Sequence, residues 1–484
     1  SGSLGKPATV RILGGYVGTS GAAASIYGGG LGEATRINGN VEVSIGTSGA
    51  NSGATIYGDV YGGSAKGITN SNDDGDARNG SAKTDVNLNA GTIYGSIYGG
   101  GHGIGGAIAN VWGPVVVTVD GGSVLPITGN PASIFGCNNL NGSPKDSVVV
   151  RIVRTAATQI SQGDTVYALN GVYGGGNQAH YEPTTVNANY PKVTVSCDAS
   201  INDVFGGGNA AAVPNTNVII YGGDIKRVFA GGNGLSGAAH VGYKSKDTNP
   251  AADTHYGNGN TSTNIYGGTI RQIFAGSNAN GVIHSNGTLN INKTGTCAMI
   301  IGEVYGGGNM AKGKASSISV GCTGSLTDAH NTTPQNIGTT LEGIGTIYGG
   351  ANAADIGAAG DSSHITLTIN SGMVGNVFGG NNTSGDNYGK IQVIINQTSD
   401  DCGWYVGNVF GGGNMASYAG TPTVTITAGQ VSQNVYGGGN MAGVAGALVN
   451  MNGGTVKKAI YGGCNTSGTV AGPIDVNINN GTVG

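Results

Sequence analysis

The chain has 484 residues, 97 of them glycine, with 10% charged residues and a formal net charge of −4 at pH 7. Ordinary helical domains need helix formers and charged faces, and a nucleic-acid surface needs a basic stripe, so this composition excludes both. An apolar fraction of 38% at low net charge argues against disorder, and no apolar run nears the roughly 18 residues of a membrane-spanning helix, so no membrane insertion of this segment is expected.

From the N-terminal end onward the elements repeat. A Val/Ile-Tyr/Phe step, followed by Gly-Gly in most copies, is centred in turn on Tyr27, Tyr61, Tyr98, Phe135, Tyr173, Phe205, Phe229, Phe274, Tyr305, Tyr348, Phe378, Phe410, Tyr436 and Tyr461, fourteen copies in all. All six phenylalanines of the chain fall in this register, which implies one common environment for the position. Ahead of the aromatics run period-two strands such as Ile365, Leu367 and Ile369 with Thr366 and Thr368 between, or Val424 and Ile426 between Thr423, Thr425 and Thr427. Such alternation puts one face inward and one outward. Glycine turns follow, as at Gly222-Gly223, Ser371-Gly372 and Ala428-Gly429, and then a second short pattern, Ile225-Lys226-Arg227-Val228 or Val456-Lys457-Lys458-Ala459-Ile460, whose polar middle residues point out. Each copy therefore reads as two or three short strands and as many corners closing one coil.

Four residues after the aromatic, asparagine occupies eleven consecutive copies: Asn139, Asn177, Asn209, Asn233, Asn278, Asn309, Asn352, Asn382, Asn414, Asn440 and Asn465. The first three copies carry Leu31, Ala65 and His102 instead. Stacked amides can bond to the equivalent amide of the next layer, which predicts an asparagine ladder beside an aromatic ladder. Asparagine also tolerates a left-handed corner, and the glycines before it are expected to supply positive φ and close backbone approach.

The shortest aromatic spacings are 24, 25 and 26 residues, which sets the coil length, and longer spacings such as the 45 residues from Phe229 to Phe274 hold insertions, the larger ones about 234–263 and 323–345. The expected fold is all-β, a single continuous parallel β-solenoid over 1–484 with about fourteen coils, which at about 4.8 Å per layer would make a rod of roughly 65–70 Å. Thr482-Val483-Gly484 matches Met373-Val374-Gly375 within a coil, so a segment of a longer repeat protein, or end-to-end stacking into a fibre, is expected.

Chemistry-bearing residues are sparse. No two of the six cysteines lie within four residues, which excludes zinc spacing. Cys197, Cys297 and Cys402 each precede their aromatic by eight residues but sit three coils apart, beyond disulfide reach, whereas Cys297 and Cys322 belong to neighbouring coils and could bridge. Isolated half-buried thiols are the other reading. The loop Asn70–Asp76 has the oxygen density calcium favours, with Asp73, Asp74 and Asp76 as ligands, but it lacks a closing Glu, and a solvated surface loop explains it as well. No other cofactor is indicated. The seven histidines never repeat in register with an acid, and the Arg and Asp residues form no repeated cluster, so no catalytic set is assigned. Outward threonines suggest an ice-binding face, but equivalent positions hold Asn290, Ser317 and Asp475, too mixed for that role. Insertion aromatics, among them Tyr181, Tyr190, Tyr243, Tyr256, Trp404 and Tyr405, could stack on sugars or simply anchor loops.

At its Tyr-Gly-Gly-Gly-Asn copies the chain resembles, over nearly its whole length, the glycine-rich repeat regions of large bacterial cell-surface, adhesin-like parallel β-helix proteins. The resemblance implies an extracellular or cell-surface structural or adhesive role, with self-association or neighbouring repeats and surface glycans as partners, and no enzyme activity. It carries over no functional residue. A carbohydrate-active β-helix enzyme (polysaccharide lyase or hydrolase) or a glycan-binding spike is the alternative.

Overall fold

The structure, a computed structural model, describes residues 5–50, 53–127, 131–161, 163–242, 257–295, 297–323, 337–360, 363–398 and 402–484. Among these it is an all-β parallel solenoid; a three-residue 3-10 turn at Ile104–Gly106 is the sole helical element among the described residues. The chain forms two compact units, the first comprising Ser1–Ile219, Gly223–Lys226 and Gly231–Asn260, the second Ile220–Gly222, Arg227–Ala230 and Thr261–Gly484. The predicted insertions fall largely outside the described residues, which omit 243–256 and 324–336.

In the first unit, strands Ala8–Ile12, Val41–Ile45, Thr84–Leu88, Val115–Asp120, Val148–Arg154 and Pro191–Asp198 pair in parallel, each one coil further along the chain. Their registers align Val10, Val43, Val86, Val117, Val150 and Val193 in one inward file. Period-two alternation does this, because β-branched side chains at equal phase in every coil meet across each ladder. From Val43 to Val193 these valines are buried, each worth about 1.5–3 kcal/mol of apolar transfer. The second unit repeats the scheme with Thr261–Ile265, Asn286–Lys293, Ala315–Cys322, His364–Ile369, Lys390–Asn396, Thr423–Ala428, Ala447–Met451 and Ile474–Ile478. Its inward file runs Thr263, Leu289, Ile318, Leu367, Val393, Val424, Val449, Val476.

The aromatic strands form the second side of each coil. In the early coils this side is two separate dipeptide strands, as in Thr55–Ile56 and Val60–Tyr61; from Leu169–Tyr173 onward it is one continuous strand, and it splits again by Gln430–Val431 and Val435–Tyr436. A third side is a paired dipeptide strand in the first coils, Arg36–Ile37 with Ile68–Thr69, and is reduced further on to single bridges such as Ile356 with Asn387 and Val444 with Val470.

The glycine triplets are explained by room, and the expected positive φ is absent from them. None of the Gly-Gly-Gly positions after the aromatics is among the positive-φ glycines, nor is any ladder asparagine among the two positive-φ non-glycine residues, Asn70 and Ala132. A Cβ on the first glycine would strike the next coil's carbonyl, 2.4 Å from Gly437 O for Gly411, and one on the second would strike the third side, 2.9 Å from Val444 Cγ1 for Gly412. The corner needs only the missing side chain, so that backbones of successive layers can approach closely.

Candidate functional site

Within the first unit the predicted rings do stand in file, from Tyr27 through Tyr61, Tyr98, Phe135 and Tyr173 to Phe205, with centroids 4.6–4.9 Å apart and planes within 14°. The second unit stacks Phe229, Phe274, Tyr305, Tyr348, Phe378, Phe410, Tyr436 and Tyr461 at 4.4–5.1 Å. This spacing is the strand-to-strand distance of the underlying sheet, so identical side chains at one register have no freedom but to stack.

The amide ladder is also formed. Asn177, Asn209 and Asn233 each donate Nδ2–H to the Oδ1 of the preceding Asn at 2.8–2.9 Å in the first unit. In the second, Asn309, Asn352, Asn382, Asn414, Asn440 and Asn465 do so at 2.8–3.0 Å, starting from Asn278.

The two ladders interlock in a way that sequence spacing did not reveal. Asn139 donates to the Tyr61 hydroxyl at 2.9 Å, Asn233 to Tyr173 at 3.2 Å and Asn382 to Tyr305 at 3.3 Å, each reaching a tyrosine two copies earlier. Where the ladder has not begun, His102 takes this place: its Nδ1 bonds the Tyr27 hydroxyl at 2.9 Å and its ring lies 4.7 Å from that of Tyr61. Two tyrosines also donate to the carboxylate two residues before them, Tyr61 to Asp59 at 2.9 Å and Tyr305 to Glu303 at 3.0 Å. Burial and then the Asp59 charge push the Tyr61 and Tyr98 phenols far above their ordinary value, burial and Glu303 do the same to Tyr305, and Tyr348 is pushed up to about 12. Burial lowers His102, against the pull of Asp59. These phenols therefore stay protonated donors.

Between the two ladders of the first unit runs a groove of about 390 Å³. Tyr98, Phe135 and Tyr173 form its floor; Asn177, Asn209 and Asn233 form one wall; and Ser96, Ser133, Asn170 and Asp203 line the other side, with Pro131, Leu235 and Ser236 at the rim. Because each ring is covered above and below by its neighbours, the groove offers ring edges with amide and hydroxyl groups rather than a free aromatic face. It suits a polyhydroxylated chain bound by hydrogen bonds along the ladder more than a sugar ring stacked flat. The insertion aromatics Tyr243 and Tyr256 lie outside the described residues, while Tyr181 is buried with its hydroxyl on the Asp146 carbonyl at 2.8 Å, a loop anchor.

The acidic loop is organised by Asn72. Its Oδ1 accepts from the backbone N–H groups of Gly75 and Asp76 at 2.9 and 3.2 Å, and its Nδ2 donates to Asp76 at 2.9 Å. Asp73 accepts from Asn38 at 2.6 Å, and Asp73, Asp74 and Asp76 are all exposed. The three carboxylates do not converge, and among the described residues no three His, Cys, Asp or Glu side chains are grouped as a metal site.

Neither reading of these cysteines holds: the possible bridge from Cys297 to Cys322 is not formed, because Cys322 bonds to Cys402, Cα atoms 6.0 Å apart, and Cys197 and Cys297 are also disulfide-bonded rather than isolated thiols. Counting layers in a straight file hid this. The coil between turns directly from His364–Ile369 into Gly372–Phe378 through a two-residue corner, and across it Cys322, the last residue of the strand Ala315–Cys322, meets Cys402, two residues ahead of the strand Trp404–Phe410. Cys137 and Cys464 are free thiols.

A buried ion pair was also missed. Lys293 Nζ lies 2.9 Å from Glu342 Oε1, with the two side chains 3% and 4% exposed. Alternation supplied the signal, since Lys293 shares the inward phase of Leu289 and Ile291.

The chain matches no family model, no curated protein and no solved structure.

Proposed function

We propose that this chain is a structural and adhesive repeat segment working outside the cell, a stiff scaffold that holds its insertions and grooves for attachment and does not act as an enzyme. The observation that carries the reading is the redundancy of the locking: in each unit every coil is tied to the next by sheet hydrogen bonds, by a stacked ring and, through most coils, by an amide pair. Repetition of one joint at every layer spreads load and denies proteases a weak loop, whereas a catalytic site needs a departure from the repeat. The disulfide-bonded cysteines support an oxidising compartment. The groove between the ladders supports surface glycans as the attached partner, and self-association or neighbouring repeats of the same protein would extend the scaffold.

The test is to incubate the purified protein with a panel of insoluble and soluble polysaccharides, assaying retention and product release together. Retention without new reducing ends or unsaturated sugars supports the adhesive reading. Release of such products overturns it in favour of a carbohydrate-active enzyme, the second reading, which the placement of Asp203 at the groove favours.

A further inference from the structure

One corner of the second unit concentrates more covalent chemistry than the repeat requires. The strand Asn286–Lys293 ends with Lys293 directly beside Cys322 in the neighbouring strand, Cys322 is tied to Cys402, and Cys297 four residues on is another half-cystine. Lys293 and Glu342 meet at this corner across a sequence separation of 49 residues, in adjacent coils.

The pair is built beyond what a surface ion pair needs. Glu342 Oε1 accepts both from Lys293 Nζ at 2.9 Å and from the Met299 backbone N–H at 2.9 Å, and Lys293 Nζ also donates to the Cys297 carbonyl. Both side chains are almost fully removed from water. Desolvation of two charges opposes the ion pair, and removal of both charges by condensation relieves it. The amine is fixed against one carboxyl group, so a normally bimolecular step becomes intramolecular, and the Met299 N–H holds that carboxyl group in place beside the amine.

We infer that Lys293 and Glu342 join in an intramolecular isopeptide bond, a covalent modification linking two adjacent coils. A proton passes along the hydrogen bond from the ammonium to Glu342 Oε1. The freed amine lone pair attacks Cδ of Glu342, and Oε2 carries the negative charge of the tetrahedral adduct. The nitrogen then gives up a second proton to the same Oε1, which leaves as water as Oε2 re-forms the carbonyl. One C–N bond is made and one C–O bond broken, the ammonium and carboxylate become an amide and one water, and nothing is oxidised or reduced. The corner thereby carries an amide crosslink that reduction does not open, next to disulfides that reduction does.

The test uses the whole protein, purified, held at neutral pH, then reduced and denatured for intact mass measurement. The expected mass is about 18 Da below that of the sequence, one water lost in condensation, and a tryptic digest yields a branched peptide joining the segments around Lys293 and Glu342 with no cleavage after Lys293. In Lys293→Arg the loss disappears, which separates it from water or ammonia lost elsewhere in an asparagine-rich chain. A native mass equal to the sequence mass overturns the inference, as does a loss that persists in Lys293→Arg. Because the decisive reading is on the native protein, a variant that fails to fold does not shield the idea.

Discussion

The first three copies of the first unit carry Leu31, Ala65 and His102 where the second unit carries asparagine in every copy from Asn278 to Asn465. Yet the rings stack alike: 4.8 Å separates Tyr27 from Tyr61 and Tyr61 from Tyr98, against 4.4–5.1 Å along the second unit. The aromatic column therefore does not depend on the amide ladder. The ladder pins the corner and supplies donors to tyrosine hydroxyls, and where it is missing the His102 imidazole hydrogen-bonds the Tyr27 hydroxyl instead. The outward faces differ too. Across the first unit the outward registers include Glu42, Asp85, Lys192, Arg11 and Arg151, whereas across the second two of them run through uncharged side chains, Ser262, Thr288, Ser317, Thr366, Gln392, Thr423 and Asn264, Asn290, Ser319, Thr368, and a charge stands beside them at Lys390. Core registers are held constant by packing, while outward registers are free to differ.

The sharpest way to break this ordering is to truncate one ring in each unit. Tyr61→Ala, where the ladder is missing, and Phe378→Ala, where it is complete, should each cost about 3–5 kcal/mol in urea unfolding, because each leaves a ring-sized void in a closed stack. Near-equal losses support the independence of the column. A much smaller loss at Phe378 would mean that the amides hold the coil without it. Next in size is the glycine that lets the layers meet. Gly411→Ala puts a Cβ 2.4 Å from Gly437 O, and the overpacking should cost about 1–3 kcal/mol, while Gly14→Ala, with nothing within 4 Å, should stay within about 0.5 kcal/mol. Equal effects at the two sites would remove the steric account of the triplets.

Asn382→Ala tests the ladder alone. It deletes bonds to Asn352 and to the Tyr305 hydroxyl and leaves Asn414 without its acceptor, so a loss of about 1–3 kcal/mol is expected, smaller than that of Phe378→Ala. Denaturant midpoints for the two variants, measured side by side, rank column against ladder, and the reverse order contradicts the comparison.

Most of the architecture was legible because a solenoid writes each contact once per coil. Fourteen aromatics and eleven asparagines at fixed offsets announce their own stacking, and the valine and isoleucine phases announce the inward file. What repetition does not write was missed. The Cys322–Cys402 bond skips the coil between its two cysteines, and Lys293–Glu342 joins a strand residue to one within the insertion at about 323–345, so neither recurs at any period. The glycine triplets were placed correctly for a partly wrong reason, since a sequence does not distinguish glycine needed for φ from glycine needed for space. Functional chemistry was the least legible, because sites depend on departures from the repeat and each departure occurs once.

His102 is the departure whose consequence is easiest to isolate. Its neutral ring stacks on Tyr61 and bonds Tyr27, and burial holds its pKa below the ordinary value of 6.5, with Asp59 opposing. In the unfolded chain the imidazole takes up a proton as pH falls through about 6.5, whereas in the folded chain it resists until lower pH. The unfolded state then binds more protons, so stability is level above that range and declines on acidification through it. His102→Asn extends the ladder residue to this position with no titrating ring, and should flatten the decline while leaving stability at pH 8 nearly unchanged. Hydrogen exchange of the strands Ile26–Tyr27 and Val60–Tyr61 between pH 5 and pH 8, corrected for intrinsic rates, reads the effect locally. The second unit has asparagine at every equivalent position and serves as the internal control. A decline of the same steepness in its strands, or one that survives His102→Asn, would show that the imidazole is not the group being titrated.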